Sequence, residues 1–197
     1  MRVIGITGGI GSGKSAVLNL LEQTYGAYIV ETDKLAHQLM EPGQTAYKRI
    51  VDEFGTGILA EDGKINRTIL GNIVFCDTTA LNTLNGIVHP AVKEHILRDI
   101  ERKKQEQVSI YVIEAALLIE DGYKAICDEL WYVYVEQEER IRRLLLGRGG
   151  NREKWEQIIE SQSSEMYYRS NCDVVIDNSK NIKITADIVK ELLSKTR

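Results

Sequence analysis

Residues 8–15 read Gly8-Gly9-Ile10-Gly11-Ser12-Gly13-Lys14-Ser15, and no other stretch constrains the chain as tightly. The octapeptide fits G-x-x-x-x-G-K-[ST] in full. The apolar, β-branched run Val3–Thr7 leads into it, and a helical pattern begins near Gly13. Strand, glycine-rich turn and helix in that order form a cradle for a polyphosphate. The glycines let successive backbone N–H groups converge on an anion without a Cβ in the way. The helix N-terminus adds partial positive charge at the same point. Lys14 brings a full charge to the β- and γ-phosphates, and Ser15 a hydroxyl for Mg²⁺. The pattern predicts a nucleoside triphosphate on the loop from Gly8 to Ser15. The rival reading, a glycine-rich turn with no ligand, is disfavoured by four glycines plus Lys-Ser in this setting. The loop alone leaves open whether phosphate passes to a substrate or to water.

Short apolar runs recur at Ala27–Val30, Ile110–Ile113, Leu130–Val135 and Val174–Ile176. Apolar on both faces and separated by helical patterns, they predict buried parallel strands in a doubly wound α/β sheet. The helical patterns run from Ser15 to about Leu21, over Lys34–Met40, Gln137–Leu146 and Arg152–Ser161, and from Ile182 to about Leu193. Residues 41–108 break the rhythm, with helices over Thr45–Phe54, Asn66–Phe75 and Ala80–Lys104 and no convincing strand. The fold expected is therefore a three-layer α/β domain over residues 1–197 with a five-stranded parallel sheet. A helical substrate lobe would be inserted at about 41–108 and a short lid at about 140–170. Glycines at 147, 149 and 150 would supply the lid with a hinge.

Composition narrows the partners. A net charge of −4 and a pI near 5.5 argue against general nucleic-acid binding, so phosphate binding must be local. Three widely spaced cysteines with no CxxC pair read as reduced thiols rather than a zinc site. No apolar run approaches the ~20 residues of a membrane span, and the N-terminal run is too short and glycine-rich for a signal peptide. The chain reads as cytoplasmic, a monomer or weak oligomer, with no membrane partner.

Asp33 follows the second apolar run in Val30-Glu31-Thr32-Asp33. Ligands of open α/β sheets bind beyond the carboxyl ends of the strands. A carboxylate there can orient an acceptor hydroxyl and take its proton as the γ-phosphoryl moves. Judged alone it reads more readily as a helix N-cap; beside the phosphate cradle the catalytic reading is the better one. The basic run Arg140, Arg142, Arg143, Arg148 and Arg152 is either a solvated face or the cationic lid that phosphoryl transfer needs. His89, before Pro90, would start or kink a helix. Trp131 and Tyr132 read as packing, and Trp155 as packing or a ligand contact.

From Arg2 to Asn178 the chain resembles the dephospho-CoA kinases. The resemblance is carried by IGITGGIGSGKS, ETDKLAHQLMEPG, FGTGILAEDGKINRTILGNIVF, His89-Pro90, Leu117-Leu118-Ile119-Glu120, the Gln137–Arg148 region and Asp173–Asn178. It implies ATP-dependent phosphorylation of the ribose 3′-hydroxyl of dephospho-CoA. It also implies ATP on Gly9, Gly11, Ser12, Gly13, Lys14, Ser15 and Ala16, Asp33 as base, Lys14, Arg140 and Arg148 at the transferring phosphate, and Asn178 near the adenine. His37, Arg67, His89 and Glu114 would face the acceptor. The chain departs from the family pattern at Glu31, His37, Glu114, Ala116, Gln157, Tyr167 and Cys172. His37 and Gln157 each replace a fixed cation. Another small-molecule kinase acting on nucleosides or nucleotides, or a diverged ATP-binding module without transfer, are the alternatives.

Overall fold

Each apolar run becomes a strand in a computed structural model that describes residues 1–195. They are β1 (Arg2–Thr7), β2 (Tyr28–Glu31), β3 (Ile110–Glu114), β4 (Glu129–Tyr134) and β5 (Val174–Asp177). The sheet order is β2-β3-β1-β4-β5, so β1 lies in the middle. It pairs in parallel with β3 (Ile6 opposite Glu114) and with β4 (Thr7 opposite Tyr132). A central strand flanked by later strands on both sides is where an open sheet forms its ligand crevice.

Period-2 alternation decides what each face of the sheet buries. Ile4, Ile6, Trp131, Val133 and Ile176 share one core with α1 (Lys14–Tyr25) and α9 (Ile182–Ser194). The opposite face holds Gly5 against Leu118, Cys127 and Leu130. There α8 (Glu165–Asn171) lays Tyr168 flat on Tyr132, with ring centroids 4.7 Å apart. Burial pushes the Cys127 thiol up to about 12 and the Cys172 thiol to about 11, which suits unreactive structural cysteines.

Several boundaries differ from the sequence expectation for identifiable reasons. β4 begins one residue early because Glu129, a buried carboxylate, is paired with Arg2 and accepts Trp131 Nε1 at 2.9 Å. α1 runs past Leu21 to Tyr25 and stops where Gly26, at φ 63°, donates to Glu22 O. α8 was not foreseen; Ser164 Oγ caps it by accepting Tyr167 N–H. It follows α6 (Gln137–Arg148) and α7 (Arg152–Glu160), which share a small core of Ile141, Leu144, Trp155 and Ile159. Trp155 is packing: buried, its Nε1 donates to Gly149 O at 2.8 Å.

Val30–Glu106 forms a second compact unit. Within it, α2 (Thr32–Leu39), α3 (Tyr47–Phe54) and α4 (Arg67–Cys76) all pack on the long α5 (Thr78–Gln105). Asn66 caps α4 and Asp77 caps α5, each accepting two backbone N–H groups. α5 passes through Pro90 without a break, so His89 neither starts nor ends a helix. The only strand-like pairing described in this unit is the single bridge Leu59–Ile65.

Trp131 is fully buried and anchors both the core and Glu129. Trp131→Ala is expected to cost about 3–5 kcal/mol. Trp131→Phe, which loses chiefly the hydrogen bond, should cost about 1–2 kcal/mol. Chemical denaturation of the two variants checks the ordering.

Candidate active site

The loop leaving β1 is built around donors that no side chain of its own helix occupies. Gly13 is the N-cap of α1, in the left-handed region at φ 82° and ψ 29°, and has no side chain to cap with. Elsewhere the chain caps helices with Asn66, Asp77, Asn151, Ser164 and Asn181. Ala16 N–H donates to Gly13 O at 3.0 Å, while the N–H groups of Lys14 and Ser15 at the helix start are left for a ligand's oxygens.

That space is a cavity of about 510 Å³. Gly9, Gly11, Gly13, Lys14 and Ser15 line it, and Arg143 and Arg148 bring guanidinium groups. Lys14 Nζ donates to Gly8 O at 2.6 Å and lies 3.8 Å from Glu114 Oε1 at the end of β3. Below the loop, Thr7 Oγ1 and Ser12 Oγ are buried without a hydrogen-bond partner among the described residues. A polyphosphate fits this chemistry: backbone donors, a lysine and arginines, with a serine hydroxyl at the helix start.

Three side chains from the far end of the chain hold the loop in place. Asn178 is 4% exposed; its Nδ2 donates to Ser12 O at 2.9 Å and its Oδ1 accepts Thr185 Oγ1–H at 2.8 Å. A Cβ on Gly13 would run into the Asn178 amide, so only glycine fits that crossing. Arg140 Nε donates to Ile10 O at 2.9 Å, and Gln162 Oε1 accepts Ile10 N–H at 3.0 Å. Arg143 Nη2 donates to Asn178 O at 2.9 Å while its Nε holds Glu139. Hydrogen bonds from Arg142 and Arg143 keep the Glu139 carboxyl down at about 2.

The residues of the Val30–Glu106 unit form their own arrangement. Asp33 lies in the first turn of α2, whose N-cap is Glu31, so it is not the cap. Its side chain is exposed. His37 and Arg67 share the wall of an apolar cavity of about 160 Å³ with Glu41, Met40 and Leu70. Glu41 lies 3.7 Å from Lys64 and 3.9 Å from Arg67. His89 is not among the residues of that wall.

A family model described as "Dephospho-CoA kinase" matches residues 2–183. The chain is 38% identical over 195 residues to the dephospho-CoA kinase of Carboxydothermus hydrogenoformans, covering 99% of this chain and 94% of that one. The dephospho-CoA kinase of Geobacter sulfurreducens is also 38% identical over 195 residues, with 99% and 98% covered. The chain belongs to the dephospho-CoA kinase family. A dephospho-CoA kinase structure from Campylobacter jejuni shares the fold, with a TM-score of 0.72 at 23% identity over 98% of both chains.

Against that family's pattern, Gln157 is exposed on α7 and is not in the wall of the phosphate cavity. Arg140 and Gln162 are the side chains from that region that reach the loop. Sequence reasoning missed the tethers made by Gln162 and Thr185. Neither stands out by type or spacing, since each acts on a partner more than a hundred residues away or on another tether. Asn178→Ala leaves the Ser12 carbonyl and the Thr185 hydroxyl buried and unpaired. It is expected to weaken MgATP binding about tenfold, equivalent to about 1.4 kcal/mol, with the fold retained. Calorimetric titration beside a thermal melt reads both quantities.

Proposed function

We propose that this chain transfers the γ-phosphoryl group of ATP to the ribose 3′-hydroxyl of dephospho-CoA, giving CoA in the last step of its biosynthesis. The observation that carries this reading is the family match over residues 2–183, on a chain whose phosphate cavity has the donors such a transfer needs.

The roles follow from the chemistry of each group. The N–H groups of Gly11 and of Gly13 to Ser15 take the phosphate oxygens, and Lys14 exchanges its bond to Gly8 O for the β- and γ-phosphates. Gly9 gives the loop tip room for its neighbours, and Asn178 keeps the Ser12 peptide turned for binding. Arg140 and Arg148 meet charge that builds on the transferring group. Ser15 would hold Mg²⁺ through its hydroxyl. When bound, the ion neutralises charge shared by the β- and γ-phosphates.

Asp33 is the proposed base. It orients the acceptor hydroxyl and takes its proton. His37, Arg67, His89 and Glu114 are the proposed contacts to the acceptor. His37 stands where the family pattern carries an arginine, so an imidazole takes the place of a guanidinium there. A cytoplasmic monomer or weak oligomer without nucleic-acid or membrane partners goes with this reading. The pI is near 5.5, and no helix of the described residues is long and apolar enough to cross a membrane.

Purified protein given ATP and dephospho-CoA should release ADP and yield a product heavier by one phosphate. Asp33→Asn should lower kcat by about 10²–10⁴ with the melting temperature unchanged. Turnover on a panel of nucleosides but not on dephospho-CoA would refute the acceptor. Wild-type kcat in Asp33→Asn would remove that carboxylate from the chemistry.

A further inference from the structure

Ile10, at the tip of the phosphate loop, has both of its backbone groups occupied by side chains. Its carbonyl accepts Arg140 Nε–H at 2.9 Å, and its N–H goes to Gln162 Oε1 at 3.0 Å. The two side chains also join each other, Arg140 Nη2 donating to the same Gln162 oxygen at 2.8 Å. The three groups close a ring at the phosphate cavity: Ile10 and Gln162 stand in its wall, and Arg140 bonds both from behind. Gly9 makes room for it: a Cβ there would stand 2.7 Å from Gln162 Oε1.

The bonding of Arg140 sets it apart from the carboxylate-paired arginines of the region. Arg142 and Arg143 are bonded to Glu139, Arg152 to Glu138 and Glu156, and Arg169 to Glu165. Arg140 is bonded only to a peptide carbonyl and a side-chain amide, both neutral. It is half-buried against Tyr132 and Tyr168; burial lowers its pKa and the tyrosines act the other way. Its Nη1 has no partner among the described residues. A glutamate at 162 could accept the same two N–H groups, but it would neutralise the guanidinium and place an anion beside the phosphates.

We propose that Gln162 is a positioning residue for phosphoryl transfer: a neutral acceptor that fixes Arg140 against the phosphate loop while leaving its charge for the transferring phosphate. The inference rests on the reading of the loop as the ATP site and of Arg140 as one of its cations. Gln162 acts through Arg140, so its contribution exists only when that arginine is present.

The test measures kcat and KM for ATP, with dephospho-CoA as acceptor, alongside thermal melts. The proteins are wild type, Gln162→Ala, Gln162→Glu, Arg140→Ala and the Arg140→Ala/Gln162→Ala double variant. Gln162→Ala should lower kcat by about tenfold or more while KM for ATP changes by less than about threefold. In the Arg140→Ala background the same change should alter kcat by less than about twofold. Gln162→Glu, isosteric and expected to melt with wild type, should lower kcat/KM for ATP by about 10².

Wild-type kcat in Gln162→Ala, an undiminished loss in the Arg140→Ala background, or wild-type kcat/KM in Gln162→Glu would each overturn the proposal. If wild type itself does not turn over dephospho-CoA, the functional reading fails instead. Calorimetric titration of MgATP then still decides the point. Kd should rise about tenfold in Gln162→Glu, and an unchanged Kd overturns the positioning role.

Discussion

The hydrogen bond from Asn178 to the Ser12 carbonyl joins residues 166 positions apart, and the phosphate loop depends on it and its two companions. A run of four glycines in eight residues has more backbone freedom to lose than any other stretch of the chain. Left to itself such a loop would pay that cost when the anion arrives. Asn178, Arg140 and Gln162 fix three of its peptide groups in advance, on carbonyl, carbonyl and N–H respectively. Donors aimed before the ligand binds need no reorganisation as charge develops, which is the physical basis of electrostatic catalysis.

The same arrangement explains how a chain with net charge −4 handles a polyphosphate. Most basic side chains of α6 and its neighbours are spent on carboxylates. Glu139 alone takes hydrogen bonds from two arginines and is held as the anion down to about pH 2. Those pairs shape the surface and add little attraction for an incoming anion. Lys14, Arg140 and Arg148 are disposed differently. Lys14 rests on a backbone carbonyl with Glu114 nearby, Arg140 is held by neutral acceptors, and Arg148 is exposed in the cavity wall. Local cations in an acidic chain confine phosphate binding to one place.

The fold was legible because its signals are local. β1, the loop and α1 are written in one continuous stretch of 24 residues, and each later strand is a short apolar run. What the sequence did not reveal depends on distant partners. Glu129 reads as a polar residue outside a strand until Arg2 and Trp131 are known to enclose it. Asp33 alone reads more readily as a cap than as a catalytic acid, and only the backbone at Glu31 shows that the cap is elsewhere. Asn178 was singled out as a nucleotide contact, while the atoms it touches are the Ser12 carbonyl and the Thr185 hydroxyl. Gln162 gave no signal at all, because a lone glutamine has no spacing to betray it.

Amide hydrogen exchange across residues 8–16, with and without MgATP, tests the central claim most directly. Donors aimed into the cavity exchange with solvent until phosphate oxygens cover them. The account predicts that MgATP slows exchange at Gly11 and from Gly13 to Ser15 by at least about tenfold, while Ser12, already bonded to Gly9 O, and Ala16, bonded to Gly13 O, change little. Equal exchange in this stretch with and without nucleotide, under conditions where calorimetry shows ATP bound, would contradict it.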